Sequence, residues 1–238
     1  MIFDFLKEHG LEPQRTKAVL FDMDGVLFDS MPNHVTAWKV SMARYGLSIT
    51  DEQVYLNEGQ TGFGTIAALI RQQFGREATD EECDLIYQAK CDVFNTCPTA
   101  PPMPGAREAL EAIKAAGLKC VIVTGSGQQS LFDRLNETYP SIFTRELMVT
   151  AFDVRHGKPR PEPYLMGLRK AGVKADEAIV VENAPLGIQS GRAAGIFTVA
   201  LNTGPLKDSL LYASGANVVY PNMPTFACLV SQRPEPRP

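Results

Sequence analysis

At 238 residues, 45% hydrophobic and 21% charged, the chain has the composition of a soluble globular protein, long enough to bury a sizeable core. A net charge of −4 argues against nucleic acid or an anionic membrane as the main partner. No apolar run approaches the ~20 residues of a bilayer span, and the charges among residues 1–8 break the apolar core a signal peptide needs. Cys83, Cys91, Cys97, Cys120 and Cys228 form no C-x-x-C pair, which fits reduced thiols in a cytoplasmic protein. Three unclustered histidines argue against a zinc site.

In chain order, residues 1–16 read as a short amphipathic helix and a linker with no sign of chemistry. Residues 18–21 form a short buried strand that breaks off at Asp22-Met23-Asp24-Gly25. After a break at Pro32, residues 33–46, 50–57, 62–75 and 79–96 carry helical periodicity, with stops at Gly46, Gly59 and Gly75. Trp38, Tyr45 and Phe74 are expected in the core of this helical block, which ends in the proline-rich stretch 97–104.

Beyond Gly105 the pattern alternates. Helices are expected over 105–116, 128–138, 164–171 and 185–194, and strands over 118–123, 147–150, 178–181, 196–201 and 216–220. Strands alternating with helices specify βαβ units and a parallel sheet covered on both faces. The expectation is a doubly wound α/β core from residues 14–32 and 98–228, with an α-helical cap, 33–97, inserted between hinges at 30–33 and 97–104. Residues 231–238 have no core-forming side chains and are expected to be disordered.

The strand ends hold a matched set: Asp22 and Asp24 after the first, Thr124-Gly125-Ser126 after the second, Lys158 beyond the third, Glu182-Asn183 after the fourth. In a parallel sheet these ends share one edge, where ligands bind. A polar turn after a strand would explain Asp22 and Asp24 alone. It does not explain the ordered set of acids, hydroxyl, lysine and acid.

With these four motifs the chain resembles the haloacid dehalogenase superfamily of phosphohydrolases, and its cap is similar to that of the β-phosphoglucomutase-like branch. The resemblance implies that Asp22 is the nucleophile, forming an aspartyl-phosphate, and that Asp24 is the general acid and then base. It implies that Thr124 and the amides of Gly125 and Ser126 hold the transferring phosphoryl group and that Lys158 neutralises it. It implies Mg²⁺ held by Asp22, the Asp24 carbonyl, Glu182 and Asn183. The sequence departs from the family's usual Glu-Asp pair, because Asn183 is neutral.

The cap bears on substrate. His34 and Lys90 match positions that face the acid/base Asp and a phosphate. Sugar-phosphate mutases of this branch carry an arginine in the first cap loop to grip the phosphate that is not transferred. Here that position falls on Gly62, within Asn57-Glu58-Gly59-Gln60-Thr61-Gly62. Glu58 is expected to turn a carboxylate toward the mouth of the site, and Gln60 and Thr61 to offer neutral hydrogen bonds. The main expectation is a Mg²⁺-dependent monomeric phosphohydrolase for a small substrate such as inorganic pyrophosphate. The alternatives are a β-phosphoglucomutase-type mutase and a non-catalytic binding domain.

Overall fold

The strands are mostly apolar and β-branched, with no polar face to show to water, so a sheet built from them must be covered on both sides. The computed structural model describes residues 2–126 and 131–231. Gly127, the expected helix start at 128–130 and the tail 232–238 lie outside them.

Among the described residues, β1 (Ala18–Phe21), β2 (Lys119–Val123), β3 (Met148–Val149), β4 (Ala178–Glu182), β5 (Phe197–Leu201) and β6 (Val218–Tyr220) form one parallel sheet. Its order is β3-β2-β1-β4-β5-β6. Phe21 lies in register with Ile122 on one side and Val181 on the other, so the C-terminal ends of the three central strands are level. The chain runs outward in opposite directions on the two sides of β1. That reversal opens a crevice at the strand ends.

The helices are α1 (Ile2–Glu8), α2 (Met31–Arg44), α3 (Asp51–Leu56), α4 (Gly62–Phe74), α5 (Asp80–Thr96), α6 (Ala106–Ala115), α7 (Leu131–Thr138), α8 (Glu162–Ala171), α9 (Pro185–Ala193), α10 (Asp208–Ala213) and α11 (Met223–Ser231). Alternate strand residues face opposite layers, as the period-2 geometry of a strand requires. Val19, Phe21, Ile122 and Val181 pack with α1, α6 and α11, whereas Leu20, Val121, Val123 and Val180 pack with Tyr164 and Leu168 of α8.

From α2 to α5 the chain forms a separate helical layer around Trp38, Met42, Ile66, Leu69, Ile70 and Ile86. Thr50 and Thr79 start α3 and α5 with capping boxes closed by Gln53 and Glu82, which satisfy otherwise orphaned amides. The two crossings to the core run side by side: the Asp29 amide donates to the Pro101 carbonyl, and Asn33 Nδ2 to the Pro98 carbonyl.

Several expectations need correction. Pro32 lies within the first turn of α2, where its missing N–H removes no helical bond. Tyr45 and Phe74 are exposed, because each lies at the end of its helix beyond the packed face. In α1, Ile2, Phe5 and Leu6 recur at helical spacing and are buried against α11, itself unanticipated. The apolar core therefore extends outside the limits drawn at residues 14 and 228. No described helix is long and apolar enough to cross a membrane, and the five cysteines are free of disulfides.

Candidate active site

Because the central strands end level, the first polar residue after each opens into one crevice. Asp22, Thr124, Lys158, Glu182 and Asn183 are all buried there. Lys158 Nζ donates to Asp22 Oδ1 at 2.5 Å and to Glu182 Oε1 at 2.6 Å. Burial disfavours the ammonium ion, but the two carboxylates outweigh it and hold the Lys158 pKa above its ordinary value. Burial pushes Asp22 well above the usual carboxylate range. The Lys158 charge opposes this, while Glu182 and Asp24 add to it.

Glu182 is fully buried at the mouth of α9. Its Oε1 accepts from Lys158 and from the Tyr164 hydroxyl at 2.8 Å, and its Oε2 accepts from the amides of Asn183 and Ala184 at 2.9 and 3.2 Å. Gly187 makes room for it: a Cβ there would stand 1.8 Å from Glu182 Oε1. Four protein donors thus engage the two oxygens of an expected metal ligand. Glu182 is better described as the buried anion that orients Lys158.

Asp24 is bound from the cap side. Ser30 Oγ donates to its Oδ1 at 2.5 Å, and His34 Nε2 lies 3.6 Å from the same oxygen. Behind His34, Lys90 Nζ is 3.5 Å from Nδ1 and lies over the rings of Phe94 and Trp38. Burial would raise the Asp24 pKa. The nearby His34 ring, the Ser30 hydrogen bond and the Lys90 charge outweigh burial and lower it to about 2. The cap therefore holds Asp24 as an anion.

The cap loop lies low on the core. Gly59 has φ +83°, a conformation that favours glycine, and a Cβ on it would stand 3.1 Å from Lys158 Cδ. Its carbonyl also faces Gly125 and Gly157. Thr124 Oγ1 accepts from the Ser126 amide at 3.1 Å, which shapes the turn after β2.

The remaining cap residues are placed differently from expectation. Thr61 caps α4, its Oγ1 accepting from the Gly64 amide at 3.2 Å, while its methyl faces Gly157. Gln60 folds back on the first turn of α4, beside Gly64. Burial raises the pKa of the Tyr55 and Tyr87 hydroxyls, with Asp29 and Asp51 adding to the first, Cys91 to the second, and the Glu58 charge least to both. Among the described residues no group of three or more His, Cys, Asp or Glu side chains is gathered to hold a metal, at Glu58 or at the strand ends. At Gly62 a Cβ would meet the Tyr87 ring at 2.2 Å, so that ring occupies the space a side chain at the arginine position would need.

A family model for haloacid dehalogenase-like hydrolases matches residues 16–195, from the strand that carries Asp22 through α9. The chain belongs to the haloacid dehalogenase-like hydrolases. It is an enzyme of the phosphatase type, which sets aside the non-catalytic alternative.

Among curated members of the family, hexitol phosphatase A of Escherichia coli is 32% identical over 188 residues, 79% of this chain and 84% of that one. A phosphorylated carbohydrates phosphatase of Thermotoga maritima is 28% identical over 210 residues, 86% of this chain and 94% of that one. A solved structure from Bacteroides vulgatus, described as a "Putative beta-phosphoglucomutase", is 55% identical. It covers 94% of this chain and 91% of its own with a TM-score of 0.86.

Membership of the haloacid dehalogenase-like hydrolases implies magnesium-dependent catalysis, and the oxygen donors at the site fit that ion. Among the described residues Asn183 Oδ1 is buried with no hydrogen-bond partner, while the space beside Asn183 Nδ2 is kept open by Gly25. An orphaned buried carbonyl oxygen next to a crowded carboxylate is what a hard cation would satisfy. Ser30, Tyr164, Gly59 and Gly187 were missed in the sequence. Only Gly59 gave a signal there, as a helix stop.

Proposed function

We propose that the chain is a magnesium-dependent phosphohydrolase that works through an aspartyl-phosphate on Asp22 and takes a small anhydride, inorganic pyrophosphate, as substrate. The low roof carries this reading. Gly59 lies against Lys158 with its carbonyl facing Gly125 and Gly157, so the cap loop comes down close to the strand ends, which favours a compact substrate.

Asp22 Oδ attacks phosphorus as the bond to the leaving oxygen breaks, and the leaving group carries that electron pair away. Lys158 holds the Asp22 carboxylate in place, and the Thr124 hydroxyl with the Gly125 amide receives the transferring oxygens, the Ser126 amide holding Thr124 in position. Asp22, the Asp24 carbonyl and Asn183 would hold the magnesium ion, which supplies charge neutralisation to the phosphoryl oxygens. In the second half, Asp24 takes a proton from the water that attacks the phosphorus of the aspartyl-phosphate, releasing phosphate and restoring Asp22. An Asp24 held as an anion is ready for that step.

A sugar-phosphate mutase is the second reading. It is favoured by the 55% identical Bacteroides vulgatus structure, and none of the relatives named above is described as a pyrophosphatase. On the comparisons alone the mutase stands ahead of pyrophosphate. Tyr87 filling the space over Gly62 weighs against it, since that loop then offers no cation for a second phosphate. Phosphate release from pyrophosphate, hexose phosphates and phosphoglycolate, measured with and without Mg²⁺ beside conversion of β-glucose 1-phosphate to the 6-phosphate, separates the readings. Isomerisation outpacing phosphate release establishes the mutase.

A further inference from the structure

One residue of the cap belongs to two apolar clusters. Tyr55, on α3, packs against the cap cluster of Trp38, Met42 and Val54, and also against Ile188, Ala200, Leu206 and Leu211 of the core. A methyl group on Gly204 would stand 2.4 Å from Tyr55 Cε1 and 2.5 Å from Cδ1, so the ring sits directly on the backbone there. Gly204 has no left-handed φ. Its own conformation does not demand glycine, and the approach of the ring does.

The segment beneath the ring is braced. Asn202 Nδ2 donates to the Leu206 carbonyl at 2.8 Å and to Asp208 Oδ1 at 2.5 Å, and the Asn202 amide donates to the Tyr220 carbonyl at 2.7 Å. It is also tied to the catalytic turn: Thr203 Oγ1 donates at 2.8 Å to the carbonyl of Gly25, the residue after Asp24. Tyr55 therefore rests on a fixed support that itself touches the turn carrying the acid/base carboxylate. Four residues further along the chain, Gly59 meets Lys158.

We propose that Tyr55 and Gly204 form the seat on which the cap comes to rest, making Tyr55 a positioning residue. The depth of that seat fixes how closely Gly59 approaches Lys158 and how closely His34 approaches Asp24. A cap seated too high leaves His34 out of reach of Asp24 and admits water above Asp22, which an enzyme with a covalent intermediate must control. The inference rests on the hydrolase reading of the site and is independent of which phosphorylated compound it takes.

The test is a double-mutant cycle on the full chain with Tyr55→Ala, Gly204→Ala and the pair together. It reads phosphate release, amide hydrogen exchange across residues 57–61, and the melting temperature. Either single change is expected to raise KM and lower kcat/KM roughly tenfold, and to speed exchange in 57–61. The pair should be no worse than Tyr55→Ala alone, because the added methyl then has no ring to meet. Tyr55→Phe should behave like the unaltered chain, since packing and not the hydroxyl makes the seat. If Tyr55→Ala melts too low to assay, Tyr55→Leu replaces it in the cycle.

Independent, additive losses in the pair would overturn the proposal. So would a fall in turnover with exchange in 57–61 unchanged, or a Tyr55→Phe variant as impaired as Tyr55→Ala. A chain that releases phosphate from no substrate would instead sink the hydrolase reading, with the exchange cycle still reporting on the seat.

Discussion

Alanine at Gly187 sets two effects of opposite sign against each other. Gly187 lies inside α9, where alanine favours the helix by about 1 kcal/mol. The same methyl would stand 1.8 Å from Glu182 Oε1 and 2.1 Å from Cδ. Glu182 is held by Lys158, Tyr164 and two backbone amides, so its carboxylate cannot swing aside without breaking part of that set. Removing the partners of a buried charge costs about 3–5 kcal/mol. The net loss is then about 2–4 kcal/mol, or roughly 5–15 °C in melting temperature for a chain of this size. Lys158 would also lose one of its two anions, and turnover should fall by about 10²-fold or more as its alignment on Asp22 loosens. Thermal melts and phosphate release on the single variant give both answers. A melting temperature equal to or above that of the unaltered protein, with full turnover, would refute the reasoning.

Replacing Asp22 by Asn should abolish phosphate release. Because burial and neighbouring carboxylates raise the Asp22 pKa, the metal-free variant should melt at or above the metal-free parent at pH 7. Magnesium should raise the melting temperature of the parent and do so less for the variant, as calorimetry would show. Asp24 contributes in the opposite sense. With a pKa lowered to about 2 from 3.8, its stabilisation of about 2 kcal/mol is complete above the unfolded value and lost as pH falls from about 4 toward 2. His34→Gln or Ser30→Ala should raise that pKa and move the acid limb of the kcat–pH profile upward, and an unmoved limb would contradict the contact. Burial pushes the Cys120 thiol to about 12, so Cys120 should resist alkylation at pH 8 in the native protein and react once unfolded, as peptide mass mapping would reveal.

The chemistry was legible because it is written in residue identity at strand ends. β1 and β4 each carry a four-residue apolar run followed at once by an acid, Asp22 or Glu182, and a parallel sheet brings such ends to one edge whatever the loops between them. Helix boundaries were less legible. Proline marks the first turn of a helix as readily as a break, so α2 and α8 begin at Met31 and Glu162, two residues before the expected starts at 33 and 164. Phe74 was misjudged because periodicity says which face a residue shares and nothing of whether the partner surface reaches the helix end.

Asp22, Asp24, Lys158 and the inserted cap follow from the sequence, since charge, apolar period and motif order are local properties of the chain. Tertiary structure alone decided which oxygens are free and which are engaged. Glu182 and Asn183 are neighbours in sequence, yet among the described residues four protein donors surround one and none meets the carbonyl oxygen of the other. It likewise decided that Gly59 rests on Lys158, Tyr87 on Gly62 and Tyr55 on Gly204. Gly59–Lys158 and Tyr55–Gly204 join opposite sides of the hinges, so their closeness depends on how the cap and core layers come to rest against each other, whereas Tyr87–Gly62 depends on how α5 packs on α4 within the cap.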